Sequence, residues 1–209
     1  CERYTLTDEE ALSAAAFAAE KRYGSIAIQA GEDTSPAFAR RIARLVEKIR
    51  ERWPLGITLS LGEQKASVYR MWRQAGAERY LLRIETSDRT LYERLHPRDG
   101  VHDFDTRLRA LEALREADYQ VGSGVMIGLP GQTTEQVAAD LLFLRDRDID
   151  MCGMGPYLEH PETPLYELRS TLLPQQERLE LSLRAVALLR TLMPRINIAA
   201  TTALQAIDP

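Results

Sequence analysis

Apolar residues recur along this chain with two periods, which replace one another at short intervals. Thr7-Asp8-Glu9-Glu10 is a capping box, in which hydroxyl and carboxylate satisfy free amides at a helix start, and an Ala-rich helical run follows to about Tyr23. Ser25 to Gln29 then alternates with period two, as a strand does. Ser35-Pro36 opens a second helix with proline in its first turn, and Ile42, Leu45, Val46 and Ile49 share one face of it. A strand over Ile57 to Leu61 and a helix over Ala66 to Ala75 come next. Arg79 to Glu85 reads as the third strand, with Tyr80, Leu82 and Ile84 on one face and Arg79, Leu81, Arg83 and Glu85 on the other. A helix over Thr106 to Ala117 leads to a strand over Val121 to Ile127. A second capping box, Thr133-Thr134-Glu135-Gln136, opens a helix to about Arg145. The series closes with a strand over Met151 to Tyr157, a proline-rich loop, a helix over Gln175 to Leu192 and a strand near Ile196 to Ala200.

Strands separated by helices, with no Asn-Gly turn in the chain, predict a parallel α/β sheet with right-handed crossovers. An open doubly wound sheet and a β/α barrel both satisfy that order. A complete barrel takes eight strands and roughly 250 residues, whereas this chain has 209 residues and about six predicted strands. Residues 1–209 are therefore expected to form a single (β/α)8 TIM barrel domain that is incomplete, without its first strand and its last. The faces of the strands favour the barrel. The set that matches Arg79, Arg83 and Glu85 comprises Gln29; Thr58 and Ser60; Gly122, Gly124 and Met126; Met151, Gly153 and Gly155; and Thr201. A barrel interior that only packs is filled with Val, Ile and Leu; this one is hollowed and its fixed charges are mostly positive. In the open-sheet alternative, small residues merely admit close helix packing.

Composition narrows the class of function. A net charge of −4 with dispersed Lys and Arg leaves no basic footprint for nucleic acid. No apolar run approaches the ~18–20 residues that span a bilayer, and Cys1-Glu2-Arg3-Tyr4 lacks a signal-peptide layout. Two cysteines, Cys1 and Cys152, make a disulfide scaffold untenable and suit a reducing compartment. A cytoplasmic protein with neither nucleic-acid nor membrane partners is expected, and a start at Cys1 suggests an excerpt of a longer chain.

In parallel barrels the chemistry sits at the carboxyl ends of strands. Those ends are Ala30-Gly31-Glu32-Asp33, Leu61-Gly62-Glu63, Arg83-Ile84-Glu85-Thr86, Gly128-Leu129-Pro130-Gly131, Gly155-Pro156-Tyr157 and Ala200-Thr201-Thr202. Glycine permits close approach of backbone to a ligand, and arginine offers a planar fork for an anion. The ligand expected is sizeable, carries a negative group and has donors for Glu85. An internal Arg83–Glu85 ion pair that serves stability alone is a weaker reading, because buried pairs stabilise poorly. His96, Asp99, His102 and Asp103, and likewise Glu159-His160-Pro161-Glu162, read as exposed turns rather than metal sites. Cys152 reads as a packed thiol.

Several stretches carry a resemblance to the radical S-adenosylmethionine enzymes related to biotin synthase, and among them to the HydE group of FeFe-hydrogenase maturases. They are Arg3-Tyr4 with Leu6-Thr7 and Glu9-Glu10, Gln29 to Asp33, Ile57 to Glu63, Arg79 to Thr86, Leu95-His96-Pro97, Tyr119 to Gly122, Gly128 with Gln132 to Thr134, and Ala200 to Leu204 with Ile207-Asp208-Pro209. The resemblance implies S-adenosylmethionine as cofactor. It implies that Ala30, Gly31, Glu32 and Asp33 contact its methionyl amine, with alanine a departure at the first position. Glu85 then binds a ribose hydroxyl or the amine, Arg107 holds the methionyl carboxylate and Met151 lines the adenosine pocket. Thr58, Arg79, Arg83, Thr201 and Thr202 match residues that bind anionic groups deeper in the barrel. The family also holds a four-iron four-sulfur (4Fe-4S) cluster on a Cys-x-x-x-Cys-x-x-Cys loop, which this chain lacks. The loop is expected upstream, the full-length protein is expected to bind the cluster, and the fragment alone is expected to be inactive.

By resemblance, the reaction is reductive cleavage of S-adenosylmethionine to a deoxyadenosyl radical that serves assembly of the di-iron H-cluster. The implied partners are a small organometallic or amino-acid-derived substrate, an electron donor and companion hydrogenase maturases. The alternatives are another biotin synthase-like enzyme, such as a methylornithine synthase, and a cluster-free β/α barrel lyase or binding protein.

Overall fold

The computed structural model describes residues 4–97 and 99–205. Cys1, Arg3 and the motif residues Ile207-Asp208-Pro209 lie outside them. The chain divides into two compact units, one of Cys1–Leu82 with Leu108–Gln120 and the other of Arg83–Arg107 with Val121–Pro209.

The first unit contains α1 (Asp8–Glu20), β1 (Ser25–Gln29), α2 (Pro36–Arg52), β2 (Gly56–Ser60), α3 (Ala66–Ala75) and β3 (Arg79–Leu81). The Thr7 amide donates to the Glu10 carboxylate at 2.7 Å and the Glu10 amide to the Thr7 hydroxyl at 3.2 Å, completing the capping box. α1 stops at Glu20 rather than Tyr23 because Arg22 turns left-handed, at φ 58°; the Tyr23 amide then folds back onto the Ala18 carbonyl, as in a helix C-terminal turn. Ser35 caps α2 through the Phe38 amide, and Ile42, Leu45, Val46 and Ile49 are all buried. β1 pairs parallel with β2 from Ser25↔Gly56 to Gln29↔Ser60, and β2 with β3 at Thr58↔Arg79 and Leu59↔Tyr80. Aromatic rings fill the core. Tyr80 meets Tyr69 and Tyr119 edge-on at 5.1 and 5.7 Å and stacks on Trp72 at 6.3 Å. Buried rings of this kind need a partner for each polar tip. Trp72 donates to the Ala39 carbonyl, Tyr80 to that of Gly62 and Tyr119 to that of Tyr69.

The second unit contains α4 (Arg89–Leu95), β4 (Gln120–Ile127) from Val121 on, α6 (Thr134–Asp146), β5 (Met151–Pro156), a 3-10 helix (Pro164–Thr171), α7 (Gln175–Leu192), β6 (Asn197–Ala199) and α8 (Thr202–Gln205); α5 (Phe104–Glu116) is shared between the two units. The box at Thr133 and Gln136 caps α6. β4 pairs parallel with β5 from Gly122↔Met151 to Ile127↔Pro156, and β5 with β6 from Met151↔Asn197 to Gly153↔Ala199. Gly124 and Gly153 face each other so closely that a Cβ on Gly124 would lie 2.1 Å from the Gly153 carbonyl oxygen. Among the described residues no helix is long and apolar enough to cross a membrane.

Other elements also depart from the sequence reading. The third strand ends at Leu81, not Glu85, because Glu85 adopts φ 63° and touches β4 only through an isolated bridge to Val125. Its alternation survives, for Tyr80, Leu82 and Ile84 are buried while Arg79, Leu81, Arg83 and Glu85 are partly open. α4 was not expected; its cap is Asp88, whose carboxylate accepts from the Leu91 amide at 2.7 Å. The proline-rich loop carries the 3-10 helix.

Cys152 is a packed thiol, as expected: it is fully buried, and burial pushes its pKa up to about 12. Thiolate is the reactive form, so at about pH 8 iodoacetamide is expected to leave Cys152 unmodified in the native protein and to alkylate it only in denaturant. Peptide mass spectrometry checks this, and modification of Cys152 in the native protein would contradict it.

Candidate active site

Within the second unit the carboxyl ends of β4 and β5, the segment after Leu82 and the start of α8 enclose an open cleft of about 520 Å³. Arg83, Glu85, Thr201 and Thr202 make its polar side, and Met126, Pro156 and Tyr157 its apolar wall. Gly155 leaves the room between them: a Cβ there would lie 2.5 Å from Thr201 Oγ1. Behind the wall, Tyr157 packs with Leu91 and Leu129, and Met126, Leu165 and Leu172 close on that cluster.

Glu85 is the cleft residue with a left-handed backbone, at φ 63°. A non-glycine residue in the left-handed region costs on the order of 1–3 kcal/mol and persists only when its surroundings dictate it. Here the Glu85 amide donates to the Gly124 carbonyl and the Glu85 carbonyl accepts from the Met126 amide, each at 2.9 Å. The kink turns the carboxylate back toward Arg83, whose Nε lies 3.0 Å from Oε1. Arg83 Nη2 donates to the Val125 carbonyl at 3.1 Å. Side chains remain 31% exposed for Arg83 and 20% for Glu85, so the pair is open to a ligand rather than sealed in a core. Thr201 Oγ1 donates to the Met154 carbonyl at 3.2 Å. The buried Arg107 donates from Nη1 to the Arg83 carbonyl, directly behind the cleft lining.

The first unit carries others of the expected site residues. There, Ala30 and Gly31 line a recess of about 270 Å³ beside Phe38, Arg41 and Ile42. Asp33 accepts from the Ser35 amide at 2.8 Å, a bond that holds its carboxyl below the usual range, and Glu32 packs against Gly62. Thr58 stands in register with Arg79. Arg79 does not turn toward a strand's carboxyl end. Its Nε donates to Gln120 at 2.9 Å, and its Nη1 lies 3.0 Å from where a Gly56 Cβ would sit, at the amino end of β2. Met151 opens β5, four residues before Gly155; Met126 is the methionine that lines the cleft.

The donor set suits a ligand with a flat apolar part, hydroxyl or ammonium donors and an anionic group. It does not suit an iron–sulfur cluster. Three thiolates are needed, the whole chain has two cysteines, and Cys152 is buried away from the cleft lining. What sequence reasoning missed is the support behind the lining: Asp140 and Gln132, which reach the cleft's backbone from α6 and from the loop before it. Gln132 belongs to the stretch Gln132 to Thr134 that carries the family resemblance, but nothing in the sequence pairs it with Asp140.

The sequence profile described as Radical SAM superfamily matches residues 2–144. The FeFe-hydrogenase maturase subunit HydE of Thermotoga maritima is 40% identical over 207 residues, which are 99% of this chain and 56% of that protein. A biotin synthase of Magnetococcus marinus is 29% identical over 183 residues, 82% of this chain and 56% of that protein. Among solved structures, methylornithine synthase (PylB) superposes with a TM-score of 0.78 at 26% identity, over 95% of this chain and 56% of that one. That likeness bears out the α/β class and the incomplete β/α barrel. The chain spans a little over half the length of these relatives.

Proposed function

This chain belongs to the Radical SAM superfamily, and on that premise we propose that the whole protein is a radical S-adenosylmethionine enzyme that assembles the di-iron cofactor of FeFe-hydrogenase. The similarity to HydE along 99% of the chain supports the maturase reading over the other biotin synthase-like activities. The observation that carries the cofactor reading is the strained Glu85, held in its φ 63° geometry with Arg83 at 3.0 Å, facing an apolar wall. Glu85 accepts from a ribose hydroxyl or the methionyl ammonium, and Met126, Pro156 and Tyr157 exclude water from the adenine side. Arg83, Thr201 and Thr202 hold an anionic group of the substrate. Arg107 fixes the Arg83 backbone in addition to its expected part at the methionyl carboxylate.

S-adenosylmethionine held by these residues would supply a sulfonium open to one-electron reductive cleavage. The thiolates for the reducing cluster are proposed to come from sequence outside these 209 residues, and the electron from a separate donor. The substrate is a small organometallic or amino-acid-derived compound, and companion maturases are the proposed protein partners.

The test uses the reconstituted full-length protein under anaerobic conditions. It is expected to bind S-adenosylmethionine in equilibrium dialysis and to release methionine under dithionite. A hydrogen bond to a charged group contributes about 1.5–3 kcal/mol, so Glu85→Gln is expected to weaken binding about 30-fold. Unchanged affinity in that variant, or no cleavage by the reconstituted protein, would overturn the reading.

A further inference from the structure

We propose that Asp140 and Gln132 form a buried clamp that positions Glu85 for its ligand; the proposal rests on the reading of Glu85 as a cofactor-binding residue. Asp140 is completely buried on α6, where an ionised carboxylate is costly without hydrogen bonds on its lone pairs. Those bonds come from two directions. Oδ1 accepts from the Ser87 amide, from the Ser87 hydroxyl at 2.7 Å and from the Thr86 hydroxyl at 3.3 Å. Oδ2 accepts from Gln132 Nε2 at 3.3 Å.

Gln132 then completes the circuit at the other side of the cleft. Its Nε2 also donates to the Met126 carbonyl at 3.1 Å, and its Oε1 accepts from the Gly128 and Leu129 amides at 2.7 and 3.2 Å. One carboxylate therefore ties the two residues after Glu85 to the carboxyl end of β4, which itself bonds both backbone groups of Glu85. Four of the groups in this circuit belong to the main chain and cannot rotate away, so the fit is directional.

Glu85 carries a Cβ, so its left-handed backbone at φ 63° is strained and depends on the groups that surround it. Without the clamp, residues 86–87 lose their bonds to Asp140, the bond from Asp88 to Gln136 is left as the nearby tie to α6, and Glu85 is held in its strained geometry only by its own backbone bonds to β4. Burial raises the Asp140 pKa against the pull of its hydrogen bonds, in keeping with a charge retained at some cost to stability.

Asparagine at position 140 supplies only one acceptor oxygen. Its amide then faces the Gln132 amide, unless Gln132 flips and turns donors against the Gly128 and Leu129 amides. Asp140→Asn is therefore expected to release the clamp with little loss of volume. In the full-length reconstituted protein, with S-adenosylmethionine as the probe in equilibrium dialysis, Asp140→Asn is expected to weaken affinity about 10-fold. Gln132→Met is a second route to the same release and is expected to behave alike. The decisive measurement is the cycle with Glu85→Gln. In that background Asp140→Asn is expected to weaken binding by less than about 2-fold, because the clamp acts through the Glu85 carboxylate.

Equal losses in both backgrounds would mean a merely structural role and would overturn the proposal, as would wild-type affinity in both Asp140→Asn and Gln132→Met. If instead Glu85→Gln itself binds normally, the cofactor reading fails first. The two failures are thus distinguishable. Melting curves accompany each variant, and Gln132→Met carries the test if Asp140→Asn does not fold.

Discussion

Gly124→Ala is expected to lower the melting temperature by about 6–12 °C. The added Cβ would sit 2.1 Å from the Gly153 carbonyl oxygen and 3.1 Å from its carbon, well inside van der Waals contact. Both atoms are main chain in the middle of a parallel pair, Gly124↔Gly153, so no side chain can swing aside and the strands must part. Overpacking of this kind costs typically 1–3 kcal/mol; a rigid backbone neighbour places this case near the top, at about 3 kcal/mol. For a domain of this size each kcal/mol moves the midpoint by roughly 2–4 °C. Because the Gly124 carbonyl also receives the Glu85 amide, cofactor affinity is expected to fall with stability. Differential scanning calorimetry decides it, and a midpoint within 2 °C of wild type would show that the two strands yield freely.

Gly155→Val is expected to separate what Gly124→Ala joins. Its Cβ would meet Thr201 Oγ1 at 2.5 Å and the Ala203 Cβ at 3.5 Å. Those are side-chain atoms, and Thr201 can rotate at the loss of its bond to the Met154 carbonyl, worth about 1 kcal/mol net. The melting temperature is expected to drop by no more than about 4 °C. The cleft, however, loses the space between its polar and apolar sides, and S-adenosylmethionine affinity is expected to fall at least about 100-fold. A variant that melts as expected yet binds normally would place the ligand elsewhere.

Much of this architecture was legible because periodicity is local. The helix over Ala66 to Ala75 and that over Gln175 to Leu192 match their observed bounds, and both capping boxes close as read. Parity put Arg83 and Glu85 on one face, and both line the cleft. Parity says nothing of direction along the strand, however. Arg79 shares that face, but Gln120, 41 residues away, draws its guanidinium toward the amino end of β2. The kink at Glu85 was equally invisible, since neither Gly nor Asn marks it and its anchors come from β4 and α6. The bond from Thr86 to Asp140 bridges 54 residues. Such pairings belong to tertiary structure, and no window along the chain reveals them. α4 was a different kind of miss: Asp88 with Leu91, Tyr92 and Leu95 is a readable cap and face, hidden by the Pro, Gly and Asp that follow.

The aromatic core has an optical consequence. Both tryptophans of the chain, Trp53 and Trp72, lie in the first unit, whereas Tyr92, Tyr157 and Tyr166 lie in the second. Emission excited near 295 nm thus reports on one half of the molecule alone. Far-ultraviolet dichroism sees both halves. Denaturation curves from the two signals will superimpose only if the halves come apart together, so fluorescence and dichroism compared can test whether this protein unfolds as one cooperative block without any label.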